Sequence, residues 1–229
     1  MKYKAVIFDL FDTLFYPVSL QEYQRMLTEM TAALSINPDT FRRLWSETAD
    51  SRMKGTFRSY RENIEYIYRQ IGATIDETRI LLATKTRLAM VRNAAVPRSD
   101  AVAVLSRLKS EGYKIGLISN CSHEAIEVWD TTPFPMLFDT TVFSCLVGIT
   151  KPDPRIYQLA LQQLYVEPRN CIYIGDGSDQ ELTGARQAGM QAVLLQIPSE
   201  NKSNLYRINS EDWYGPVITS LNQVLDFVK

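Results

Sequence analysis

At residues 5 to 15 the chain reads AVIFDLFDTLF, with Asp9 and Asp12 three apart after an apolar run and Thr13 directly behind. A carboxylate at a strand end can serve as a nucleophile or hold a divalent cation. Three further segments offer complementary groups: Ser119-Asn120 closing YKIGLISN, Lys151 in GITKPDP, and Asp176 in CIYIGDGSD. A carboxylate, a hydroxyl, an ammonium and a second carboxylate are the parts of covalent catalysis with charge neutralisation, provided that the fold brings them together.

The elements that would position them follow from hydrophobic period. KAVIF reads as a short buried strand, and from Leu20 to about Arg92 apolar residues recur at helical spacing, giving at least three helices. Asn37-Pro38 is a helix start, and Gly72 closes a helix built on Ile64, Ile67, Tyr68 and Ile71. After Pro97 helices and strands alternate: a helix over Ala101 to Ser110, the strand YKIGLIS, the short strand TTVFS, the helix of KPDPRIYQLALQQL, the strand CIYIGD, the helix ELTGARQAG, the strand MQAVLLQ, and a last helix from about Pro216 to Val228. Buried strands alternating with helices imply an α/β fold, a doubly wound parallel-sheet (Rossmann-like) core. An all-helical segment interrupts it after the first strand. Ligands of such sheets sit beyond the carboxyl ends of the strands, where Asp9, Ser119, Lys151 and Asp176 fall. SENKSNLYRINS, from Ser199 to Ser210, reads as a polar surface loop.

Composition narrows the function classes. The 229 residues have 45% hydrophobic and 22% charged content and a formal net charge of -1, as in an ordinary globular protein. Interspersed charge without a basic block argues against nucleic acid as a partner, and no apolar run is long enough to span a bilayer. The start MKYKAVIFDLFDTLF does not read as a signal peptide. Cys121, Cys145 and Cys171 are widely spaced without a CxxC, so neither a disulfide framework nor a structural zinc site is expected, and the cytoplasm is the expected compartment.

FDLFDTLF, LISN, GITKPDPRIY and YIGDGSDQELTGARQAGM resemble the four ordered motifs of the haloacid dehalogenase superfamily, in the branch with a helical cap inserted after the first strand. The resemblance implies a core of residues 1–15 and 95–229 and a cap domain of residues 16–94. Its spacing of nucleophile to threonine selects Asp9 as the nucleophile, which forms a covalent aspartyl intermediate hydrolysed by water. It assigns Ser119 and Lys151 to catalysis, and Thr13 and Asn120 are read as substrate-binding residues, with Arg52 added from the cap on its own position near a helix junction beside Gly55. Mg²⁺ is the implied cofactor, with Asp9, Asp176 and the backbone carbonyl of Phe11 as ligands and Glu181 just behind them. The implied substrate is a small, anionic molecule, met by a monomer or homodimer.

Phe11 departs from the family's phosphatases, which carry an aspartate there as general acid and base. Phenyl can neither give nor take a proton. The superfamily's dehalogenases also have an aromatic residue here, but they dispense with Mg²⁺ and lack the acidic fourth motif kept here as Asp176 and Glu181. Phosphonatases keep Mg²⁺ and use a cap lysine, for which Lys54 is the nearest candidate. Two carboxylates beside an anionic substrate require a cation between them, which favours a Mg²⁺-dependent phosphohydrolase, weak for want of an aspartate at position 11. A 2-haloacid dehalogenase, a phosphonatase and a non-catalytic phosphate- or partner-binding relative stay open. His123 is the one histidine available as a substitute acid or base. Specificity is expected from the cap, where Arg52, Arg58 and Arg61 could receive a second anionic group.

Overall fold

The computed structural model describes residues 2–200 and 211–229. Residues 201–210 of the expected polar loop lie outside the described residues. Six strands form one sheet: β1 (Ala5–Phe8), β2 (Lys114–Ser119), β3 (Thr140–Phe143), β4 (Cys171–Gly175), β5 (Gln191–Leu195) and β6 (Val217–Ile218). Their order is β3-β2-β1-β4-β5-β6 and every pairing is parallel. All four residues of β1 are buried, as a central strand covered on both faces requires. Its pleat divides them, Val6 and Phe8 joining one core with Leu105, Leu117 and Ile174, and Ala5 and Ile7 joining the other with Ile118, Ile156 and Tyr173.

Five helices lie between β1 and the next core helix: α1 (Leu20–Leu34), α2 (Pro38–Glu47), α3 (Ala49–Met53), α4 (Tyr60–Gln70) and α5 (Glu77–Ala94). Local signals set their starts. Ser19 and Glu22 form a reciprocal capping box on α1, and the Asn37 side chain accepts from the backbone N–H groups of Asp39 and Thr40 with Pro38 in the first turn of α2. These helices share an apolar core of Met30, Phe41, Trp45, Ile64, Ile67 and Ile80, into which Val128 also packs. Val128 belongs to α7 (Glu124–Trp129), so the helical insert is seated on that helix of the sheet layer. The two chain crossings run side by side: Phe15 bridges Pro97, Tyr16 N donates to Val96 O at 3.0 Å, and Arg98 N donates to Leu14 O at 2.9 Å.

The remaining helices are α6 (Ala101–Ser110), α8 (Ser144–Val147), α9 (Pro154–Leu164), α10 (Glu181–Gln187) and α11 (Val224–Phe227). The last differs from the sequence expectation of one helix over Pro216 to Val228. Val217–Ile218 instead pairs with β5, a 3-10 turn follows at Leu221–Gln223, and only then does the short α11 begin. Ile218, Leu221, Val224 and Val228 are all buried at spacings of three and four, so a strand followed by two turns of helix mimics one helical stripe. Among the described residues no helix is long and apolar enough to cross a membrane.

Candidate active site

Register brings the reactive groups level. Phe8 stands opposite Leu117 on one side and Ile174 on the other, so Asp9, Ser119 and Asp176 leave the sheet within two residues of the same row. Asp9 N still donates to Ile174 O at 2.9 Å, which fixes the backbone from which its carboxylate projects. Lys151 enters from the loop between α8 and α9. Its Nζ lies 2.5 Å from Asp9 Oδ1 and 2.5 Å from Glu181 Oε2, and all three side chains are buried.

Asn120 sets the lysine's place rather than facing an open crevice. Its Oδ1 accepts from Lys151 N at 2.8 Å, and its Nδ2 donates to Lys151 O at 3.2 Å and to Asp179 Oδ2 at 2.8 Å. Glu181 is likewise engaged at both oxygens: Tyr173 OH donates to Oε2 at 2.7 Å and Gly177 N to Oε1 at 3.1 Å. Room for that carboxylate comes from Gly175, where a Cβ would collide with Glu181 Oε1. Among the described residues Asp176 makes only turn contacts in comparison, accepting from Ser178 N at 3.2 Å and Ser178 Oγ at 2.7 Å.

Carboxylate oxygens of Asp9, Asp176 and Glu181 all lie within 4.8 Å of one another. Burial alone would pull the Lys151 ammonium down, but the carboxylates of Asp9 and Glu181 outweigh it and hold the group above its ordinary value. Glu181 is pushed well above the carboxylate range by burial, which Lys151 opposes only in part. Tyr173 is raised by burial and by the Glu181 and Asp9 charges, so its hydroxyl is a fixed donor. An all-oxygen donor set around one lysine fits a hard divalent cation. Two buried hydroxyls, Ser119 Oγ and Thr13 Oγ1, have no hydrogen-bond partner among the described residues, which fits a polar ligand at this strand end.

Over the strand ends lies a cavity of about 60 Å³ lined by Phe11, Asp12, Met53, Tyr60, Arg87 and Cys121, among others. Phe11 meets the Phe15 ring edge-on at 5.8 Å. Arg52 corrects the sequence reading. It is buried inside the helical insert, its Nη1 donating to Trp45 O at 2.8 Å, Thr48 Oγ1 at 2.7 Å and Asn63 Oδ1 at 3.0 Å, with the guanidinium 3.9 Å from the Trp45 ring centre. The insert arginine that lines the cavity is Arg87, on α5, stacked over Tyr60 at 4.9 Å. Arg58 is exposed, and Arg61 pairs with Glu65 and Glu77. Lys54 is exposed and paired to Asp50, and His123 stands at the start of α7 outside the cavity lining.

Sequence reasoning missed Tyr173, Asp179, Arg87 and Arg98. For Tyr173 a signal existed, since in CIYIGD it alternates with Ile172 and Ile174 and so faces the opposite side of β4. Arg98 carries no such mark.

A buried carboxylate, a buried lysine and a second acidic turn thus stand together at adjoining strand ends. Residues 3–189 match the family model of the haloacid dehalogenase-like hydrolases, and the chain belongs to that family. It is 28% identical over 237 residues to a glyceraldehyde 3-phosphate phosphatase of Methanopyrus kandleri, covering 99% of this chain and 97% of the relative. It is also 28% identical to an (S)-2-haloacid dehalogenase of Pseudomonas putida, over 81% of this chain and 82% of the relative. Among solved structures, a 2-haloacid dehalogenase from Pseudomonas syringae shares the fold with a TM-score of 0.70 and 20% identity, covering 98% and 97% of the two chains.

Proposed function

We propose that this hydrolase is a Mg²⁺-dependent phosphohydrolase that passes the phosphoryl group of a small phosphorylated metabolite to Asp9 and then to water. The observation that carries the reading is the approach of Asp9, Asp176 and Glu181 oxygens within 4.8 Å of one another, with Lys151 between Asp9 and Glu181. Like charges so close require a cation to remain ionised beside an anionic substrate. Asp9, Asp176 and the backbone carbonyl of Phe11 would hold Mg²⁺, which when bound supplies neutralisation of phosphoryl charge. Glu181, engaged at both oxygens, positions Lys151 rather than joining the ligand set.

Asp9 attacks phosphorus as the bond from phosphorus to the leaving oxygen breaks. Water then attacks the aspartyl-phosphate, releasing phosphate and restoring the carboxylate. Lys151 faces the charge that spreads over the transferring group, and the Ser119 hydroxyl, buried and without a protein partner among the described residues, donates to a phosphoryl oxygen. Thr13 offers a second such hydroxyl, and Asn120 acts by holding Lys151. Residues 16–94 form the cap over a core of 1–15 and 95–229, with the paired crossings at Phe15 and Pro97 as its hinge. The name of the Methanopyrus relative supports a substrate of triose-phosphate size. The setting is the cytoplasm, the protein a monomer or homodimer with neither nucleic acid nor membrane as partner.

Phe11 favours one competing reading, carbon–halogen hydrolysis, because a halide leaves without a proton. A panel of phosphomonoesters, phosphonates and 2-haloacids, run with Mg²⁺ and with chelator, separates them. Phosphomonoester turnover that chelator abolishes is expected. Chelator-resistant release of halide, or no turnover together with no Mg²⁺ binding, would overturn the proposal.

A further inference from the structure

Cys121 and Cys145 lie far apart in sequence, yet their sulfur atoms are 3.9 Å apart. Both are buried, and both sit where the helical insert meets the sheet layer. Cys121 follows Ser119-Asn120 and lines the cavity beside Phe11 and Asp12. Cys145 is the second residue of α8, and its carbonyl lies so close to Gly55 that a Cβ there would collide with it. Ser144 Oγ ties the three segments together, accepting from Cys121 N at 3.0 Å and donating to Met53 O at 2.6 Å.

We propose that Cys121 and Cys145 are a reversible oxidation site, a dithiol that hydrogen peroxide converts to a disulfide at the edge of the crevice. A sulfur of the pair attacks one peroxide oxygen, the O–O bond breaks, and a sulfenic acid and water result. The second sulfur attacks the sulfenyl sulfur, the S–S bond forms, the S–O bond breaks, and the departing hydroxide leaves as water with the second thiol's proton. Two thiols and one peroxide thus give one disulfide and two waters. Cys145 is the first to attack the peroxide: it is the more exposed residue of the two, at 5% against 2%, and the hydrogen bond from Cys121 holds its thiol below the ordinary value. Cys171 is the internal contrast, buried away from the crevice and pushed up to about 12 by burial.

A disulfide needs sulfur atoms about 2.05 Å apart, so the pair must close by roughly 2 Å. That movement draws on the loop bearing Ser119 and Asn120, and Asn120 fixes Lys151. A displacement of about 1 Å in such a group can cost on the order of 10²-fold in rate.

The test treats the intact protein with hydrogen peroxide, alkylates remaining thiols and maps peptides without reduction. A Cys121–Cys145 cross-link with Cys171 still alkylated is expected, with turnover lower by about 10-fold or more and restored by dithiothreitol. Cys121→Ser and Cys145→Ser should each keep turnover under peroxide, and either variant alone suffices if the other fails to fold. The cross-link is read by mass, so it stands apart from the phosphohydrolase reading. Both thiols remaining alkylatable, oxidation of Cys171 first, or a disulfide that leaves turnover unchanged would overturn the proposal.

Discussion

Arg98 holds the backbone of Asp12 from the neighbouring chain crossing: its Nη2 donates to Asp12 O at 2.7 Å while its Nε donates to Thr13 O at 2.8 Å. Asp12 has a left-handed backbone, φ 64, a conformation that costs a non-glycine residue about 1 kcal/mol or more. Glu200 backs the guanidinium from the far side, at 2.6 Å and 3.0 Å. The loop that carries Asp9 and Phe11 is therefore shaped by an arginine almost ninety residues away.

Arg98→Met removes four hydrogen bonds from a charged donor, two to Glu200 and two to the Asp12 and Thr13 carbonyls, the latter worth about 1.5–3 kcal/mol each. Thermal unfolding should move down by the equivalent of about 3 kcal/mol or more, and kcat should fall further than KM rises. Lysine restores the charge but not the planar fork, so Arg98→Lys should recover stability only in part. Unchanged kcat in a folded Arg98→Met protein would contradict a positioning role.

Much of this was legible in the sequence and some was not, for physical reasons. Asp9, Ser119, Lys151 and Asp176 were visible because each ends or follows a short apolar run, and strand ends meet wherever a parallel sheet forms. Arg52 was misplaced because an arginine on an amphipathic helix reads the same whether it faces a crevice or, as here, satisfies Trp45, Thr48 and Asn63 inside the bundle. Asn120 was read as a substrate-binding residue because its two bonds to the Lys151 backbone depend on a contact thirty-one residues distant. Arg98 and Arg87 were passed over because tertiary approach alone distinguishes them from surface cations. The last strand was hidden by its two-residue length.

Glu124 gives a pH prediction at the seat of the helical insert. Burial raises its carboxyl above the ordinary value, opposed in part by hydrogen bonds, including the one from Tyr60 N at 2.5 Å, and by Arg87. The native protein binds this proton more tightly than the unfolded chain does, so Glu124 supports the fold best at acid pH. That support is lost as pH rises through the interval above the unfolded carboxyl value, about 4.3. Glu124→Gln keeps an acceptor for Tyr60 N without the charge. Melting temperatures across pH should show the variant more stable than the native protein near neutrality, with the gap closing toward acid. A variant less stable at every pH by the same margin would mean that burial of this charge is not the governing cost.

On the proposed mechanism Phe11 stands where a proton donor would serve the leaving group, and general acid–base assistance typically contributes about 10²- to 10⁴-fold. Alkyl phosphates should therefore turn over slowly, and aryl phosphates, whose leaving groups depart without a proton, should show an initial burst. Phe11→Asp should raise steady alkyl-phosphate turnover by about 10-fold or more, since the ring is only half-buried against Phe15 and can be replaced without opening the core. Rapid native hydrolysis of alkyl phosphates, unaltered in Phe11→Asp, would place the proton donor elsewhere.

The most direct measurement acid-quenches the protein during turnover of an aryl phosphate and maps the phosphoryl group by mass spectrometry. Transfer through the buried Asp9–Lys151–Glu181 group predicts a phosphoryl group on Asp9, present with Mg²⁺ and absent with chelator or in Asp176→Asn. Turnover that leaves Asp9 unmodified, or an Asp9 adduct formed equally well without metal, would contradict it.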